Sequence, residues 1–168
     1  MTNPVIEELR RAGVQYQLLN HPPVYTAQEA DRYVQGHQFA RTKNLFLRAR
    51  QEFYLVIVDE KKRLDLRALR KQLHSTRLQF ATAEQLQERL GITPGAVSPL
   101  NLINNSNHDV RVVMDRTIVE QERLIGCHPN TNRQTVILAL PALLALLKRW
   151  GERGHYFGLI ERGFFNGL

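Results

Sequence analysis

The sequence predicts one mixed α/β domain, in which a mixed β-sheet of about six or seven strands is flanked by helices. Strand-like runs rich in Val, Ile, Leu and aromatic residues alternate with amphipathic helical stretches. Two of these runs, 43–48 and 52–58, are separated by only three residues, which is typical of a hairpin rather than of a regular doubly wound sheet. A length of 168 residues suits a single domain, 1–168, and no internal repeat or linker interrupts it.

Each element has a local signal. Helices are predicted where a capping residue or a proline precedes an apolar face, at Pro4 to Gly13, Thr26 to Tyr33, Asp65 to Leu73, Thr82 to Gly91 and Pro141 to Gly151. Strands are predicted between them, at 16–19, 43–48, 52–58, 77–80, 110–114, 123–127 and 134–140. The run 53–58 is almost wholly apolar, so we expect a central strand covered on both faces. The irregular stretch 92–108 contains spaced apolar residues, and we expect it to be packed.

Composition narrows the possible partners. The net charge of +7 favours a polyanionic partner such as a nucleic acid. The basic residues of the stretch 61–71 are candidates for contact with RNA, although a solvated helix face explains most of them equally well. The single cysteine, Cys127, permits no intrachain disulfide and suits a reducing cytoplasm. No apolar run approaches the roughly 20 residues that span a bilayer, and no signal-peptide pattern is seen, so we expect a cytoplasmic protein.

Several standard sites are missing from the pattern. The chain has no P-loop, no dinucleotide-binding glycine fingerprint and no clustered zinc ligands, so no metal or organic cofactor is indicated. Ser98 does not lie in a nucleophile elbow. Cys127 and His128 are adjacent, and neighbouring residues of an extended chain point to opposite faces, which disfavours a Cys–His hydrolase pair.

Lys43 stands at the mouth of an apolar strand, where lysine is rarely buried. Taken alone, it is explained as well by a side chain that reaches water from a strand end. His128 has the same alternative, a packed or surface histidine. The motifs that contain Lys43 and His128 make a functional role the better explanation of both residues.

Six motifs follow one another in a specific order: His21-Pro22-Pro23-Val24-Tyr25-Thr26, Thr42-Lys43-Asn44-Leu45-Phe46-Leu47, Leu78-Gln79-Phe80-Ala81, Gly91 through Pro99, Leu102-Ile103-Asn104 and Gly126-Cys127-His128-Pro129-Asn130. Together they resemble the prolyl-tRNA editing family, the YbaK/prolyl-tRNA-synthetase-associated domain, and in particular its free-standing deacylases related to the alanyl-tRNA(Pro) editing protein. The resemblance covers about residues 4–150 and leaves the tail 151–168 outside.

The resemblance implies a mixed, partly barrel-like sheet with helices outside. It also implies hydrolysis of the ester between a wrong amino acid and tRNA, in trans to the synthetase. Mischarged tRNA is then the expected partner, and prolyl-tRNA synthetase is a second candidate. The family's essential lysine corresponds to Lys43, its glycine-to-proline loop to Gly95 through Pro99, and its pocket histidine to His128.

Ester hydrolysis builds negative charge on the carbonyl oxygen, so the site needs hydrogen-bond donors aimed at that atom. Backbone N–H groups of 95–97 and the ammonium of Lys43 are the candidate donors, and Asn44 is a candidate for orienting a substrate hydroxyl. No acidic or histidine general base is obvious in the sequence. We therefore expect a ribose hydroxyl of the substrate to help activate water.

Amino acid selectivity is expected to come from pocket size, because removing one methylene changes binding by only about 1–3 kcal/mol. The substrate-binding candidates, in addition to Asn44, are Val24, Leu45, Ala96, Val97, Ser98, Leu102 and Cys127. Cys127 is smaller than the residue often found there in the family, so serine, threonine or 2-aminobutyrate are alternatives to alanine. Two other functions stay open: a non-catalytic tRNA- or synthetase-binding module of the same fold, and hydrolysis of another small acyl conjugate.

Overall fold

The computed structural model describes residues 2–151 and 157–166. Within these residues the α-helices are α1 (Pro4–Arg11), α2 (Ala27–Tyr33), α3 (Leu66–Gln72), α4 (Ala83–Leu90), α5 (Arg116–Gln121) and α6 (Leu140–Trp150). Short 3₁₀ helices occur at Pro99–Asn104 and Arg162–Phe164. The capping signals act as the sequence predicts: Thr82 and Gln85 form a reciprocal capping box, and Gly91 ends α4 at φ +65°.

The strands form three sheets. They are β1 (Tyr16–Asn20), β2 (Thr42–Ala49), β3 (Glu52–Asp59), β4 (Arg63–Leu64), β5 (Gln79–Phe80), β6 (Val110–Asp115), β7 (Leu124–Cys127), β8 (Gln134–Ala139), β9 (Phe157–Ile160) and β10 (Phe165–Asn166). A five-stranded mixed sheet has the order β5-β2-β3-β6-β9, a three-stranded antiparallel sheet the order β1-β8-β7, and β4 pairs with β10. The prediction of a mixed α+β fold with a mixed sheet is confirmed. The strands divide among these sheets, however, and close no barrel in the described part of the chain.

β3 is the centre of the larger sheet. It pairs antiparallel with β2, as the hairpin prediction required, and parallel with β6. Alternate side chains of β3 enter two separate cores, as the two-residue period of a strand dictates. Phe53, Leu55 and Ile57 join the core that also contains α1, α4 and α6, whereas Tyr54 and Val56 join the core under α3.

Two irregular segments are ordered, and the packing expected for the stretch 92–108 is observed. The stretch 92–108 contains the 3₁₀ helix Pro99–Asn104, in which Leu100, Asn101 and Leu102 are buried. Part of the tail 151–168 extends the sheets, because β9 runs parallel to β6 and β10 pairs with β4. Residues 152–156 of that tail lie outside the described residues. No helix in the described ranges combines the length and apolar character needed to cross a membrane.

Candidate active site

A cavity of about 270 Å³ lies where the start of β2 meets the end of β7. A backbone bridge brings these two strands together across the sheets, since the Ala40 N–H donates to the Leu124 carbonyl at 2.7 Å. The segment 24–34 and the loop at Gly95 complete the walls. The lining is Val24, Tyr25, Thr26, Ala27, Ala30, Asp31, Val34, Phe39, Arg41, Thr42, Lys43, Asn44, Glu60, Gly95, Val97, Gly126, Cys127, His128 and Thr135.

The structure brings most of the sequence-predicted site residues to this cavity. Those in its lining are Val24, Lys43, Asn44, Gly95, Val97, Cys127 and His128. Four others lie outside the lining, for reasons that sequence position alone does not reveal. Leu45 packs against the core under α3, and Ala96 and Leu102 are buried in the larger core. Ser98 is fully buried, and its hydroxyl accepts from the Leu100 N–H at the start of the 3₁₀ helix.

Lys43 is half-buried in the cavity wall, and its backbone is fixed in β2 opposite Val58. Its ammonium group has no acceptor among residues 2–151 and 157–166. The neighbouring Asn44 amide donates to the Val97 carbonyl at 3.1 Å, which ties the start of β2 to the Gly95 loop. The Asn44 Oδ1 atom is buried and has no hydrogen-bond partner in the described chain. Lys43 therefore forms no salt bridge with the described residues, although Asp31 and Glu60 line the same cavity.

Gly95 cannot be replaced without strain. Its φ is +96°, a conformation that side chains disfavour, and a Cβ atom would lie 3.1 Å from Cδ1 of Tyr25. The N–H of Ala96 donates to the Thr93 carbonyl at 3.3 Å, so it is committed to the turn. The N–H groups of Gly95 and Val97 have no acceptor among the described residues. The candidate backbone donors of the loop are thus Gly95 and Val97, without Ala96.

The orientation of His128 makes it a candidate general base, which was not obvious from the sequence. Its Nδ1 lies 2.9 Å from the Gln134 carbonyl, and because a carbonyl only accepts, Nδ1 carries the proton. Nε2 of the neutral ring then carries a lone pair and has no partner within the described residues. Burial lowers the pKa of His128; the Gln134 carbonyl opposes this effect, and the nearby His21 adds to it. The ring is therefore suited to accept a proton at neutral pH.

Cys127 forms part of the apolar wall. Burial raises the pKa of its thiol to about 12, although a hydrogen bond with Ser98 acts in the opposite direction. The thiol thus stays protonated at neutral pH and is a poor nucleophile. This agrees with the geometric objection to a Cys–His hydrolase.

Two carboxyl groups in the lining were missed by the sequence reasoning. Asp31 accepts from Arg41 Nη1 at 2.9 Å, and Glu60 lies against Asp31. Burial raises the pKa of Glu60, and the charge of Asp31 and a hydrogen bond with it raise it further. The hairpin register carries a signal for Glu60, because Thr42 faces Asp59 and the following residue must lie beside the start of β2. Nothing local signals Asp31, which comes from α2.

Phe39 and Gly126 were also missed as a contacting pair. A Cβ atom at Gly126 would lie 2.4 Å from the Phe39 ring, so the ring occupies the space that a side chain would need. The Arg41 guanidinium lies 4.3 Å from the centroid of the same Phe39 ring. Arg41 also donates to the carbonyls of Val34 and His37. The loop that leads into β2 is therefore held against β7.

Comparisons with known proteins show the family of this chain. The model of the aminoacyl-tRNA editing domain family matches residues 21–146. The chain is 36% identical to the prolyl-tRNA editing protein ProX of Acetoanaerobium sticklandii, over 94% of each chain. It is 32% identical to prolyl-tRNA synthetase associated domain-containing protein 1 of Danio rerio, over 84% of this chain and 78% of that one.

A solved structure shares the fold. It is described as a candidate trans-editing enzyme for prolyl tRNA synthetase, and it superposes with a TM-score of 0.71 at 23% identity. The superposition covers 97% of this chain and 100% of that one. At this level of identity the likeness concerns the fold alone.

Proposed function

The chain belongs to the aminoacyl-tRNA editing family, and from this premise we propose that it is a trans-acting deacylase whose first candidate substrate is alanyl-tRNA(Pro). The family assignment makes the enzyme a hydrolase of ester bonds. One observation carries the proposal further: a single cavity is lined by Lys43, whose ammonium forms no salt bridge with the described residues, by the Gly95 loop and by His128, whose Nδ1 holds the proton of the neutral ring. A module that only binds tRNA does not need this combination.

The reaction can be written with these groups. His128 Nε2 takes a proton from water as the water oxygen attacks the carbonyl carbon of the ester. The negative charge that develops on the carbonyl oxygen is stabilised by the N–H groups of Gly95 and Val97 and by the Lys43 ammonium. The bond between the carbonyl carbon and the ribose oxygen then breaks, and His128 returns its proton to that oxygen. The products are the free amino acid and tRNA with its terminal hydroxyl restored.

His128 need not act alone. The ribose hydroxyl next to the ester can orient the attacking water from the substrate side, as the sequence reasoning anticipated. Asn44 contributes by fixing the Val97 carbonyl, and hence the loop that presents the backbone donors. A cytoplasmic location is part of the proposal, because charged tRNA is used there.

Selectivity for a small amino acid is proposed to come from the fit of its side chain against the cavity wall. Val24, Val97 and Cys127 supply apolar wall. A synthetase site built for proline also admits alanine, because the smaller side chain loses only about 1–3 kcal/mol of binding per methylene. A second, smaller cavity can then remove alanine while it excludes proline.

The test of catalysis is deacylation of alanyl-tRNA(Pro) by wild type and Lys43→Ala, with prolyl-tRNA(Pro) as the correctly charged comparison. We expect kcat to fall by about 10²–10³ in Lys43→Ala, the usual cost of losing one oxyanion donor. Lys148→Ala, on the exposed side of α6, is the matched control and should keep the wild-type rate. Wild-type rates in Lys43→Ala would contradict the role given to Lys43.

The identity of the amino acid needs a separate experiment. A panel of tRNA(Pro) charged with alanine, serine, threonine or 2-aminobutyrate should give the highest kcat/KM for alanine. If the alanyl ester is cleaved no faster than the others, the deacylase assignment stands and the alanine assignment fails. If no ester of the panel is cleaved, the non-catalytic binding module is the better description.

A further inference from the structure

We propose that the ring of Tyr25 is the stacking surface for the terminal adenine of the tRNA, at the mouth of the cavity. This inference rests on the proposed function, because it concerns the leaving group of the same ester. It assigns a nucleobase-binding role to a residue that the sequence reasoning placed in a motif but not in the site.

The position of the candidate catalytic groups places the base at the mouth of the cavity. The volume of the cavity, about 270 Å³, is slightly below the range of roughly 300–1,000 Å³ that encloses drug-sized ligands. The ester must reach Lys43 and the Gly95 loop in the cavity wall, so the amino acid takes the interior and the attached adenosine extends towards the opening. The opening must then offer a surface for the base.

Tyr25 combines a place in the lining with high exposure. It lines the cavity, yet 68% of the residue is exposed. The other exposed large hydrophobic residues of the described chain, Phe80, Tyr33 and Leu124, do not line it. The ring of Tyr33 is already stacked on His21, with 5.7 Å between the ring centroids. Tyr25 is thus the exposed aromatic residue that an adenosine at the mouth would meet.

The backbone at Tyr25 is held in place before any ligand arrives. Its N–H donates to Glu29 Oε2 at 3.1 Å, inside the first turn of α2. The preceding residue, Val24, is bound twice by Asn132, through its N–H at 3.1 Å and its carbonyl at 2.9 Å. The ring edge rests against Gly95, where a Cβ atom would approach within 3.1 Å. Because the backbone is already fixed, binding costs little backbone freedom at Tyr25, which favours stacking.

Stacking suits this substrate because it does not depend on base-specific hydrogen bonds. Every base has a π-face, and an aromatic side chain can bind it without sequence readout. All tRNAs end in the same adenosine, so a contact to its base leaves discrimination to the amino acid pocket and to the body of the tRNA. Gly95 links the two functions, since it supports the Tyr25 ring and supplies a candidate N–H donor.

The experiment compares Tyr25→Ala and Tyr25→Phe with wild type on alanyl-tRNA(Pro). Loss of one base-stacking contact should lower kcat/KM by roughly 5- to 150-fold in Tyr25→Ala, and Tyr25→Phe should remain near wild type. Phe80→Ala removes a similarly exposed aromatic residue, 63% exposed, outside the cavity lining, and is the matched control. Competitive inhibition by AMP and by ribose 5-phosphate, which lacks the base, isolates the contact to adenine.

The inhibition constant for AMP should rise in Tyr25→Ala by a factor similar to the loss in kcat/KM, while that for ribose 5-phosphate stays constant. Equal weakening of both compounds would mean that Tyr25 only shapes the cavity mouth, and the proposal would be overturned. It would also be overturned if the wild type bound AMP no better than ribose 5-phosphate. Calorimetric AMP binding does not require turnover, so this result is separable from failure of the deacylase function.

Discussion

Two features of its surroundings determine the protonation state of His128. The Gln134 carbonyl fixes the proton on Nδ1, and burial disfavours the charged ring. The first contact selects the tautomer, and the second keeps Nε2 unprotonated at neutral pH. Adjacent Cys127 is buried too, but there burial raises the pKa and suppresses reactivity. The same desolvation thus favours the neutral form of both side chains, which leaves the candidate base His128 free to accept a proton and makes the thiol a poor nucleophile.

The pH dependence of activity should report the state of His128. The pKa of His128 in the folded protein is lowered from 6.5, so the ring is neutral at pH 7. Between pH 5 and 8, kcat/KM should therefore fall only towards acid pH, and the midpoint of this acid limb should lie below 6.5. His128→Gln should lower kcat by about 10²–10⁴ and remove that limb from a profile measured between pH 5 and 8. His74→Asn, at an exposed site of left-handed backbone, should keep both. An unchanged acid limb in His128→Gln would assign it to another group.

The raised pKa of Glu60 should make the free energy of unfolding depend on pH. Burial, with Asp31 beside it, raises the pKa of Glu60 above 4.5, so the folded protein binds this proton more tightly than the unfolded chain. The contribution is fully present below pH 4.5 and is lost as the pH rises through the folded pKa. Glu60→Gln should therefore raise the free energy of unfolding at pH 7 and change it little below pH 4.5, as measured by urea denaturation. Glu88→Gln, exposed on α4, is the control and should show no such pH-dependent gain.

At the scale of elements, the site depends on how the 3₁₀ helix Pro99–Asn104 meets the turn after β7. Asn130 is in the left-handed region with φ +62°, and its Oδ1 accepts from Asn101 Nδ2 at 2.9 Å and from Asn104 Nδ2 at 3.2 Å. The Asn101 Oδ1 in turn accepts from the Ser98 N–H at 2.6 Å. This set of contacts links the Gly95 loop to the segment that contains His128.

Asn130→Ala should destabilise the protein by about 1–3 kcal/mol, because it leaves the amide of buried Asn101 without its acceptor. Asn130→Asp keeps an acceptor oxygen and tolerates the left-handed backbone, so it should cost clearly less. Urea denaturation gives both values. Equal losses in the two variants would show that the acceptor is not what Asn130 contributes.

Elements with signals that are local along the chain could be predicted, whereas contacts between distant segments could not. The hairpin of β2 and β3 and the capping box at Thr82 could be predicted because their signals are local. The position of Leu45 could not, since it shares a face of β2 with Lys43 but lies two residues further along the strand, where that face meets the core under α3. The contact between Glu60 and Asp31 joins a strand end to a distant helix. Only the fold supplies such a pairing.

At the scale of the whole molecule, a net charge of +7 suits an RNA substrate, but not every basic residue is available for it. Lys62, in the basic stretch 61–71, donates to Asp115 Oδ2 at 2.9 Å and to the Thr117 hydroxyl at 3.1 Å. Asp115 is fully buried, so Lys62 compensates a charge inside the fold. The charge of Lys62 is therefore structural, and the neighbouring Lys61 remains exposed.

The dependence of KM on salt concentration should distinguish charges that contact tRNA from charges that stabilise the fold. KM for alanyl-tRNA(Pro) should rise with salt because phosphate contacts release counterions, with a slope near 0.7–0.9 per contact on logarithmic axes. Lys62→Met should lower the free energy of unfolding by about 3–5 kcal/mol, since it leaves Asp115 buried and unpaired, and it should leave the slope unchanged. Adding Asp115→Asn to Lys62→Met should recover part of the loss. A smaller salt slope in a folded Lys62→Met variant would instead mean that Lys62 contacts the tRNA.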